Sequence, residues 1–347
     1  MIRVALASFG MSGEVFHAPL VHAHPGFQLH KVLERNQSKS VQKYPDVKLV
    51  RSYEEIINDD KIDLVVVNTP NAYHYDMARK ALEAGKHVLM EKPFTNTSEE
   101  AQQLVELAKG KSLILTAFQN RRLDSDFITV RQVLDSKILG YLVEYEAHYD
   151  RYRNFIQADT WKEEGGPGSG ILYNLGSHMI DQALVLFGLP KSLTARLAIQ
   201  REGGHAHDSY HIIMQYDGFQ AVLKSSYLVR DEGPRYKLLG NLGTFTKYGL
   251  DPQEDCLKAG MQPGGYQWGV EPPEIWGMLD TELNGMHFRG EVESAAGNYL
   301  EFYDNLAKAI HNKAPLLVTA EEAMHVIRMI ELAIQSNQEK REVTVDL

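Results

Sequence analysis

The fold is indicated by the stretch IRVALASFGMSG, residues 2–13. Its apolar first half predicts a short buried strand, and the turn after it leads into a predicted helix over residues 14–23. In a dinucleotide-binding turn of the form G-x-G-x-x-G, the glycines allow a tight bend, close approach to a pyrophosphate and close helix packing. Here the pattern is Ser8-x-Gly10-x-x-Gly13, with a small serine in the first place. The strand, turn and helix together predict a phosphate cradle made of Ser8, Phe9, Gly10, Met11, Ser12 and Gly13.

Outward from this turn, apolar strands alternate with helices as far as about residue 117. Strands are predicted over residues 28–33, 62–67, 87–90 and 113–117. Fully apolar strands separated by helices indicate a parallel sheet covered on both faces. Beyond residue 122, long segments alternate with a period of two, which indicates half-buried antiparallel strands. We therefore predict an α/β protein with a doubly wound parallel domain, residues 1–122, and an α+β domain, residues 123–347.

The composition limits the classes of partner. The chain has 347 residues and a formal net charge of −10, which argues against nucleic acid because phosphate binding requires a basic surface. One cysteine excludes an internal disulfide, as expected in a reducing cytoplasm. No apolar run is long enough to span a bilayer, and the N-terminal run is not typical of a signal peptide. We expect a cytoplasmic protein without membrane or nucleic-acid partners.

Two strand ends carry candidate cofactor ligands. Glu34 follows the second strand, where an acid binds the ribose hydroxyls of NAD, but its neighbour Arg35 is suited to the 2′-phosphate of NADP. A solvated strand end has the same pattern, so these alternatives stay open. After the most apolar strand, a Thr-Pro turn places polar groups toward the nicotinamide side. The candidates there are Thr69, Pro70 and Asn71, with His74 on the following helix.

A lysine stands at the end of a predicted strand. Glu91-Lys92-Pro93 directly follows the apolar run of residues 87–90. Open α/β sheets bind ligands beyond the carboxyl ends of their strands, and the proline stiffens the backbone after the lysine. We therefore predict that Lys92 reaches the ligand crevice, although a solvated lysine at a strand end has the same sequence pattern.

A helical histidine is the candidate proton acceptor. A glycine-rich segment, residues 165–170, predicts a flexible loop before a helix on which Asn174 and His178 lie one turn apart, with Asp181 three residues further. Removal of a hydroxyl proton needs a base tuned near neutral pH, and a nearby ammonium stabilises the developing alkoxide. The spacing alone fits a structural histidine equally well, and the combination with Lys92 favours catalysis.

Several segments together resemble one family. Residues 8–19, 69–71, 84–88, 91–94 and 175–181 look like the glucose–fructose oxidoreductase/inositol dehydrogenase (Gfo/Idh/MocA) family. Residues 120–127, 150–153 and 247–254 are similar to the branch that contains NADP-dependent scyllo-inositol dehydrogenases. The resemblance implies a Rossmann domain, an open-faced, mostly antiparallel C-terminal sheet, and homodimers or homotetramers built on that sheet. It also implies hydride transfer between NAD(P) and a hydroxyl of a sugar or cyclitol.

The resemblance carries over to individual positions. The lysine of the Glu-Lys-Pro turn corresponds to Lys92, which with Glu91 also borders the cofactor, and the histidine of the Gly-x-His turn corresponds to His178. The family usually has aspartate where this chain has Asn174, so we expect a differently tuned base or an unusual substrate. The branch favours NADP, but Glu34 before the arginine keeps NAD open.

Other polar and aromatic residues are weaker candidates. Arg121 and Arg122 follow the last predicted Rossmann strand and are suited either to polar substrate groups or to pairing with Asp124 and Asp126. Tyr152 and Trp161 are suited to stacking on a sugar ring or to ordinary packing. The run His205-x-His207-x-x-x-His211 puts three histidines on one face of a predicted strand, but no acidic or thiol ligand joins them on that face, so no metal site is predicted.

The sequence thus predicts an NAD(P)-dependent dehydrogenase of a small polyol or sugar. In this hypothesis Lys92 polarises the reacting oxygen, His178 takes or returns the proton, and Asn174 binds a neighbouring hydroxyl. Two alternatives remain: an NAD-dependent glycosidase of the same fold, and a non-catalytic NAD(P)-binding sensor, which Asn174 keeps open.

Overall fold

The computed structural model describes residues 1–158 and 160–346, with only the backbone of Trp161. The described chain forms two compact units. The first unit comprises Met1–Leu123, Pro252–Trp268 and Asn298–Met324, and the second comprises Asp124–Asp251, Gly269–Gly297 and the described residues from His325 onward. The first unit therefore includes two segments that the sequence analysis assigns to the second predicted domain.

Six described strands of the first unit form a parallel sheet. Its order is β3-β2-β1-β4-β5-β6, which is the doubly wound Rossmann order with its reversal between β1 and β4. The strands are β1 Ile2–Leu6, β2 Phe27–Leu33, β3 Lys48–Val50, β4 Leu64–Val67, β5 His87–Met90 and β6 Leu115–Ala117. This confirms the predicted parallel sheet. Every residue of β4 is buried, as its uninterrupted aliphatic sequence requires.

Short helices connect these strands. They are α1 Ala18–Ala23, α2 Lys39–Lys43, α3 Glu54–Ile57, α4 His74–Glu83 and α5 Ser98–Gly110. A π-helical turn, Gly13–His17, precedes α1. Thr97 caps α5 in a reciprocal capping box with Glu100, which satisfies backbone N–H groups at the start of the helix.

The later segments of the first unit bond to its sheet. The Thr116 hydroxyl in β6 donates to the carbonyl of Val318 at 2.7 Å, and Arg122 donates to that of Leu317 at 2.8 Å. Helices α8, Gln253–Lys258, and α9, Leu300–Ile310, belong to these segments. Their bonds explain why a division at residue 122 does not capture the whole compact unit.

Nine described strands of the second unit form a mostly antiparallel sheet. Its order is β14-β13-β12-β11-β7-β10-β9-β8-β15, and only the pairing of β7 with β10 is parallel among the described strands. The strands are β7 Leu142–His148, β8 Ser192–Ala198, β9 Ser209–Gln215, β10 Gln220–Ser226, β11 Tyr236–Gly240, β12 Gly243–Lys247, β13 Gly277–Leu283, β14 Met286–Val292 and β15 Val343–Thr344. This confirms the predicted fold of the C-terminal region.

The alternation of β9 shows how this sheet is built. Tyr210, Ile212 and Met214 are buried while the residues between them are not. The helices α6 Ser125–Asp135, α7 Ser177–Phe187 and the later part of α10 Ala320–Glu339 belong to the same unit. Across the residues described, no helix combines the length and the apolar character needed to cross a bilayer.

Candidate cofactor and catalytic groups

The turn after β1 has the geometry of a phosphate cradle. The Ser8 hydroxyl accepts a hydrogen bond from the backbone N–H of Gly10 at 3.2 Å, so the serine stabilises the bend itself. Its carbonyl accepts from the Asn68 amide at 2.8 Å, which ties the turn to the end of β4. The departure from glycine at position 8 is thus compatible with the loop.

Gly13 has no room for a side chain. A Cβ there would lie 2.4 Å from the Ser8 carbonyl oxygen and 2.7 Å from the Asn68 amide nitrogen. A Cβ at Gly10 would meet only the Ser8 hydroxyl, at 3.5 Å, which leaves the backbone accessible on that side. These are the properties that a pyrophosphate-binding turn requires, so the residues fit a dinucleotide. The buried Phe9 contributes backbone, while Met11 is exposed.

The Glu34 side chain does not point freely into solvent. It is 5% exposed, and its carboxylate accepts hydrogen bonds from the backbone N–H of Lys39 at 3.1 Å and of Ser40 at 2.9 Å, and from the Ser40 hydroxyl at 2.6 Å. Burial raises the pKa of Glu34, but these bonds outweigh it and hold the pKa below its usual value. Glu34 therefore stabilises the start of α2 and is not a solvated residue at a strand end.

A cleft of about 530 Å³ opens beside the cradle. Its walls include the exposed Arg35, and also Arg51, which donates to the backbone carbonyls of Glu34 and Gln37. Arg51 thereby fixes the loop that presents Arg35. Residues lining the cleft from the cradle and strand ends include Ser8, Phe9, Gly10, Glu34, Arg35, Thr69 and Pro70.

His74 lies behind the turn that follows β4, not at its surface. It is fully buried, with one ring nitrogen 2.9 Å from the Thr69 carbonyl and the other 3.0 Å from the Pro93 carbonyl. Burial lowers the pKa of His74, although these carbonyls oppose the shift, so the neutral ring donates to one of the two. His74 holds two loops in place. Asn71 is buried in the short 3-10 helix between them.

The Glu-Lys-Pro turn directly follows β5, with a cis bond between Lys92 and Pro93. Glu91 is buried, and its carboxylate accepts from the Lys92 backbone N–H at 3.0 Å and lies 3.0 Å from His17 Nε2. Burial raises the pKa of Glu91, but the His17 bond and the charges of His17 and Lys92 keep it below its usual value. The backbone of Lys92 is thus hydrogen-bonded to an ionised carboxylate.

In the second unit, Asn174 and His178 lie on one continuous helical segment. Asn174 is inside a π-helical turn, Leu172–Gly176, and His178 is in the first turn of α7. The prediction assumed a regular helix from Asn174, so the wider turn alters the spacing assumed for these side chains. π turns often occur at functional sites. His178 is 3% exposed and Asp181 1%, whereas Asn174 is half-buried.

The glycine-rich loop before this helix packs closely against the backbone of His205 and His207. Gly165 and Gly170 have positive φ, and a Cβ at either would lie 2.7 Å from the carbonyl oxygen of His205 or His207, respectively. The Ile171 backbone N–H also donates to the His207 carbonyl at 2.8 Å. The loop therefore packs on the segment before β9, which explains its glycines by close backbone approach.

The remaining substrate candidates have structural partners. Arg121 pairs with Glu254 at 2.5 Å, and Arg122 with Glu322 at 3.2 Å. Tyr152 is exposed, and its hydroxyl accepts from Arg230 at 2.8 Å while the guanidinium lies 4.2 Å from the ring centroid. The Trp161 side chain lies outside the described residues.

A buried ion-pair cluster lies beside the histidine run that precedes and enters β9. Asp208, within that run, bonds to the buried Arg201, which also pairs with Glu163 at 2.7 Å. Over residues 1–158 and 160–346, no group of three histidine, cysteine or acidic residues is placed to hold a metal ion.

The sequence did not predict the roles of two residues of the first unit, His17 and Arg51. His17 contacts Glu91, 74 residues away, and Tyr303, 286 residues away. Arg51 follows a three-residue strand that the sequence pattern did not predict. The only local signal for His17 was its position one turn after Gly13, and no local pattern pointed to its partners.

Family models match both parts of the chain. Residues 2–119 match the oxidoreductase family (GFO_IDH_MocA), NAD-binding Rossmann fold, and residues 131–346 match its C-terminal alpha/beta domain. The chain is 41% identical over 346 residues to scyllo-inositol 2-dehydrogenase (NADP(+)) IolW of Bacillus subtilis, covering 99% of this chain and 96% of that protein. It is 40% identical to the uncharacterized oxidoreductase YdgJ of Escherichia coli, covering 96% of each.

Solved structures agree with this assignment. The structure of YvaA from Bacillus subtilis has a TM-score of 0.96 at 40% identity, covering 99% of this chain and 98% of that one. A Bacteroides fragilis protein has a TM-score of 0.92 at 46% identity, covering 99% and 100%. The chain therefore belongs to the Gfo/Idh/MocA family and is an NAD(P)-binding oxidoreductase.

Proposed function

We propose that the chain is an NADP-dependent dehydrogenase of a cyclitol or sugar, with scyllo-inositol as the first substrate to test. The observation that carries this proposal is the 41% identity, over 99% of the chain, to a scyllo-inositol 2-dehydrogenase that uses NADP. The family assignment supports oxidoreductase chemistry at a CH–OH group, and the substrate is an extension from that relative.

The cofactor preference rests on Glu34 and Arg35. The Glu34 carboxylate accepts three hydrogen bonds from α2, so its capacity to bind ribose hydroxyls is largely used. Arg35 is exposed at the cleft and can meet a 2′-phosphate. In this proposal the pyrophosphate lies on the turn from Ser8 to Gly13, and Thr69, Pro70 and Asn71 border the nicotinamide.

Three residues carry the proposed chemistry. The bound nicotinamide accepts or returns the hydride. Lys92 stabilises negative charge that develops on the reacting oxygen, since it follows β5 directly and an ammonium can donate to that oxygen. His178 takes the hydroxyl proton or returns it, and Asn174 donates a hydrogen bond to a neighbouring hydroxyl. Arg121 acts on substrate only indirectly in this proposal, because Glu254 engages its guanidinium.

The first test is steady-state oxidation with NADP and NAD across inositol isomers and common aldoses. Wild-type protein should reduce NADP with at least one inositol. Lys92→Met should lower kcat by about 10²–10⁴-fold, the usual contribution of one acid–base group, while NADPH still binds. Lys109→Met is the matched control, because Lys109 is exposed on α5 and pairs with Glu321 at the surface.

The other outcomes separate the alternatives. Full turnover by Lys92→Met would refute its role. Release of sugar from a nitrophenyl glycoside without net NADH would indicate a glycosidase. Tight NADPH binding without turnover on the whole panel would favour a sensor, and Asn174→Asp would then test whether the aspartate usual in this family restores turnover.

We also propose self-association through the second unit's sheet. Strand β14 is exposed along most of its length and carries Met286 and Phe288, which are 69% and 43% exposed. Exposed apolar groups on a sheet commonly mark an interface. Light scattering should give a dimer or tetramer, and Phe288→Lys should lower the mass; a wild-type monomer would refute this proposal.

A further inference from the structure

A chain of three buried side chains leads to the backbone of Lys92. The Tyr303 hydroxyl lies 2.7 Å from His17 Nδ1, His17 Nε2 lies 3.0 Å from a Glu91 carboxylate oxygen, and the other Glu91 oxygen accepts from the Lys92 N–H at 3.0 Å. Tyr303 and His17 are fully buried, and Glu91 is 9% exposed. We call Tyr303, His17 and Glu91 the His17 network.

The charge of Glu91 fixes the direction of its hydrogen bond with His17. An ionised Glu91 can only accept, so His17 donates to it from Nε2. The other ring nitrogen, Nδ1, lies 2.7 Å from the Tyr303 hydroxyl, which can donate to a neutral ring or accept from a protonated one. The titratable groups that face Glu91 are His17, Lys92, Tyr303 and His74. Each polar atom of the histidine ring therefore has a suitable partner.

The network joins the cofactor side of the first unit to the lysine turn. His17 ends the π-helical turn that begins at Gly13, the glycine of the phosphate cradle. Glu91 precedes Lys92, and Tyr303 lies on α9. On the other side of Lys92, His74 holds the Pro93 carbonyl. The turn that carries Lys92 is thus fixed from both sides by buried histidines.

We propose that His17 is a positioning residue for Lys92, acting through the Glu91 carboxylate. This inference rests on the proposed role of Lys92 in the dehydrogenase reaction. Loss of the His17 donor leaves the buried Glu91 without its principal partner, which favours protonation of Glu91. The turn then loses both a charge near Lys92 and a fixed acceptor for its backbone.

The test compares His17→Gln with His17→Leu. Glutamine retains one donor toward Glu91, whereas leucine fills the space without any. We expect kcat to fall about tenfold in His17→Gln and about 100-fold in His17→Leu, with KM for NADPH within about threefold of wild type. The acid limb of the kcat profile should move to higher pH in His17→Leu. His22→Leu, on the exposed face of α1, is the matched control and should match wild type.

A smaller loss of kcat in His17→Leu than in His17→Gln would overturn the proposal. If His17 served only to fill space, leucine would replace it better than glutamine. A kcat of His17→Leu equal to or above that of His17→Gln would therefore refute a positioning role, and so would an acid limb that does not move. A rise in KM for NADPH with unchanged kcat would do the same. If His17→Leu does not fold, Tyr303→Phe must show a smaller shift of the acid limb in the same direction.

A second readout separates this inference from the proposed function. If wild-type protein turns over no substrate, the dehydrogenase proposal fails. The link between His17 and the Lys92 backbone can still be tested by NMR, through the backbone amide resonance of Lys92 in ¹⁵N-lysine-labelled protein. This resonance, assigned by its loss in Lys92→Met, should shift in His17→Leu and stay in place in His22→Leu. An unmoved resonance in His17→Leu would overturn the link to Lys92.

Discussion

Arg35→Ala should weaken NADPH binding and leave NADH binding nearly unchanged. Arg35 is exposed at the cleft, and Arg51 holds the loop around it through the carbonyls of Glu34 and Gln37. Removing the Arg35 side chain therefore leaves the loop's own bonds intact. Only the 2′-phosphate distinguishes the two cofactors, so a selective loss reports on that group.

The magnitude follows from the exposure of the guanidinium. A hydrogen bond to a charged group is worth about 1.5–3 kcal/mol, and solvent at an exposed site reduces this to about 1–2 kcal/mol. At about 1.4 kcal/mol per tenfold, the NADPH Kd should rise about 5–30-fold. Glu34→Gln should instead cost about 1.5–3 kcal/mol of stability, because its amide nitrogen cannot accept from α2, and the NADPH-to-NADH ratio should stay constant.

Titration of reduced-nicotinamide fluorescence at two salt concentrations measures both cofactors. In wild type the preference for NADPH should shrink as salt rises, because screening weakens the exposed contact. Equal losses of NADPH and NADH affinity in Arg35→Ala would refute the assignment. A selective loss of NADH affinity in Glu34→Gln would return the ribose contact to Glu34.

Three further predictions test the geometry. Gly13→Ala should cost about 1–3 kcal/mol of stability and abolish NADPH binding, since its Cβ would lie 2.4 Å from a carbonyl oxygen of the cradle, as fluorescence titration can check. Lys247→Met should lower the free energy of unfolding in urea by about 3–5 kcal/mol, because it leaves the buried Glu271 carboxylate without a cation and with only the Ser125 and Ser294 hydroxyls as side-chain donors. Burial raises the pKa of Glu254, but Arg121 and Lys258 together outweigh it and lower the pKa from 4.5 to about 2. Its stabilisation is therefore complete above about pH 4.5 and is lost as the pH falls toward 2, so acid unfolding should begin at higher pH in Arg121→Met.

Controls for these predictions are available in the same unit or at the same site. Gly110→Ala, where a Cβ meets nothing within 4 Å, should leave NADPH binding unchanged, and normal binding by Gly13→Ala would contradict the cradle geometry. A double variant, Lys247→Met with Glu271→Gln, should recover part of the stability lost, and an equal or larger loss would contradict the unpaired-charge explanation. An acid midpoint that does not move in Arg121→Met would contradict the role of Arg121 and leave Lys258, 2.7 Å from the other carboxylate oxygen, as the partner that stabilises the charge of Glu254.

The parallel sheet could be predicted because its signal is local. Residues 64–67 and 87–90 are short aliphatic runs between helices, and such runs are buried in any fold that covers both faces. Strand β14 was not predicted, although Met286, Phe288 and Val292 alternate with polar residues. Most of its residues are exposed, and it lies at the edge of the sheet, where it pairs with β13 and burial does not demand a continuous apolar face.

The candidate site was predictable by residue type but not by partner. Gly13 and Lys92 stand out from spacing and from strand ends, which are local features. The role of Glu34 depends on where the chain turns six residues later, at Ser40. The role of His17 depends on Tyr303, which only the folded chain brings near it. Side chains with distant partners therefore needed the structure.

The first unit is built from three separate segments of the chain, which affects the order in which it can be completed during translation. The ribosome completes the six strands of the Rossmann sheet by residue 123, but the unit ends at Met324, about 200 residues later. At about 5–20 residues per second, that gap lasts on the order of 10–40 seconds. During it, β6 lacks its Val318 acceptor and His17 lacks Tyr303. The first unit is therefore complete only after most of the second unit has been translated, and a chain that ends before α9 lacks the Tyr303 and Val318 contacts of the first unit.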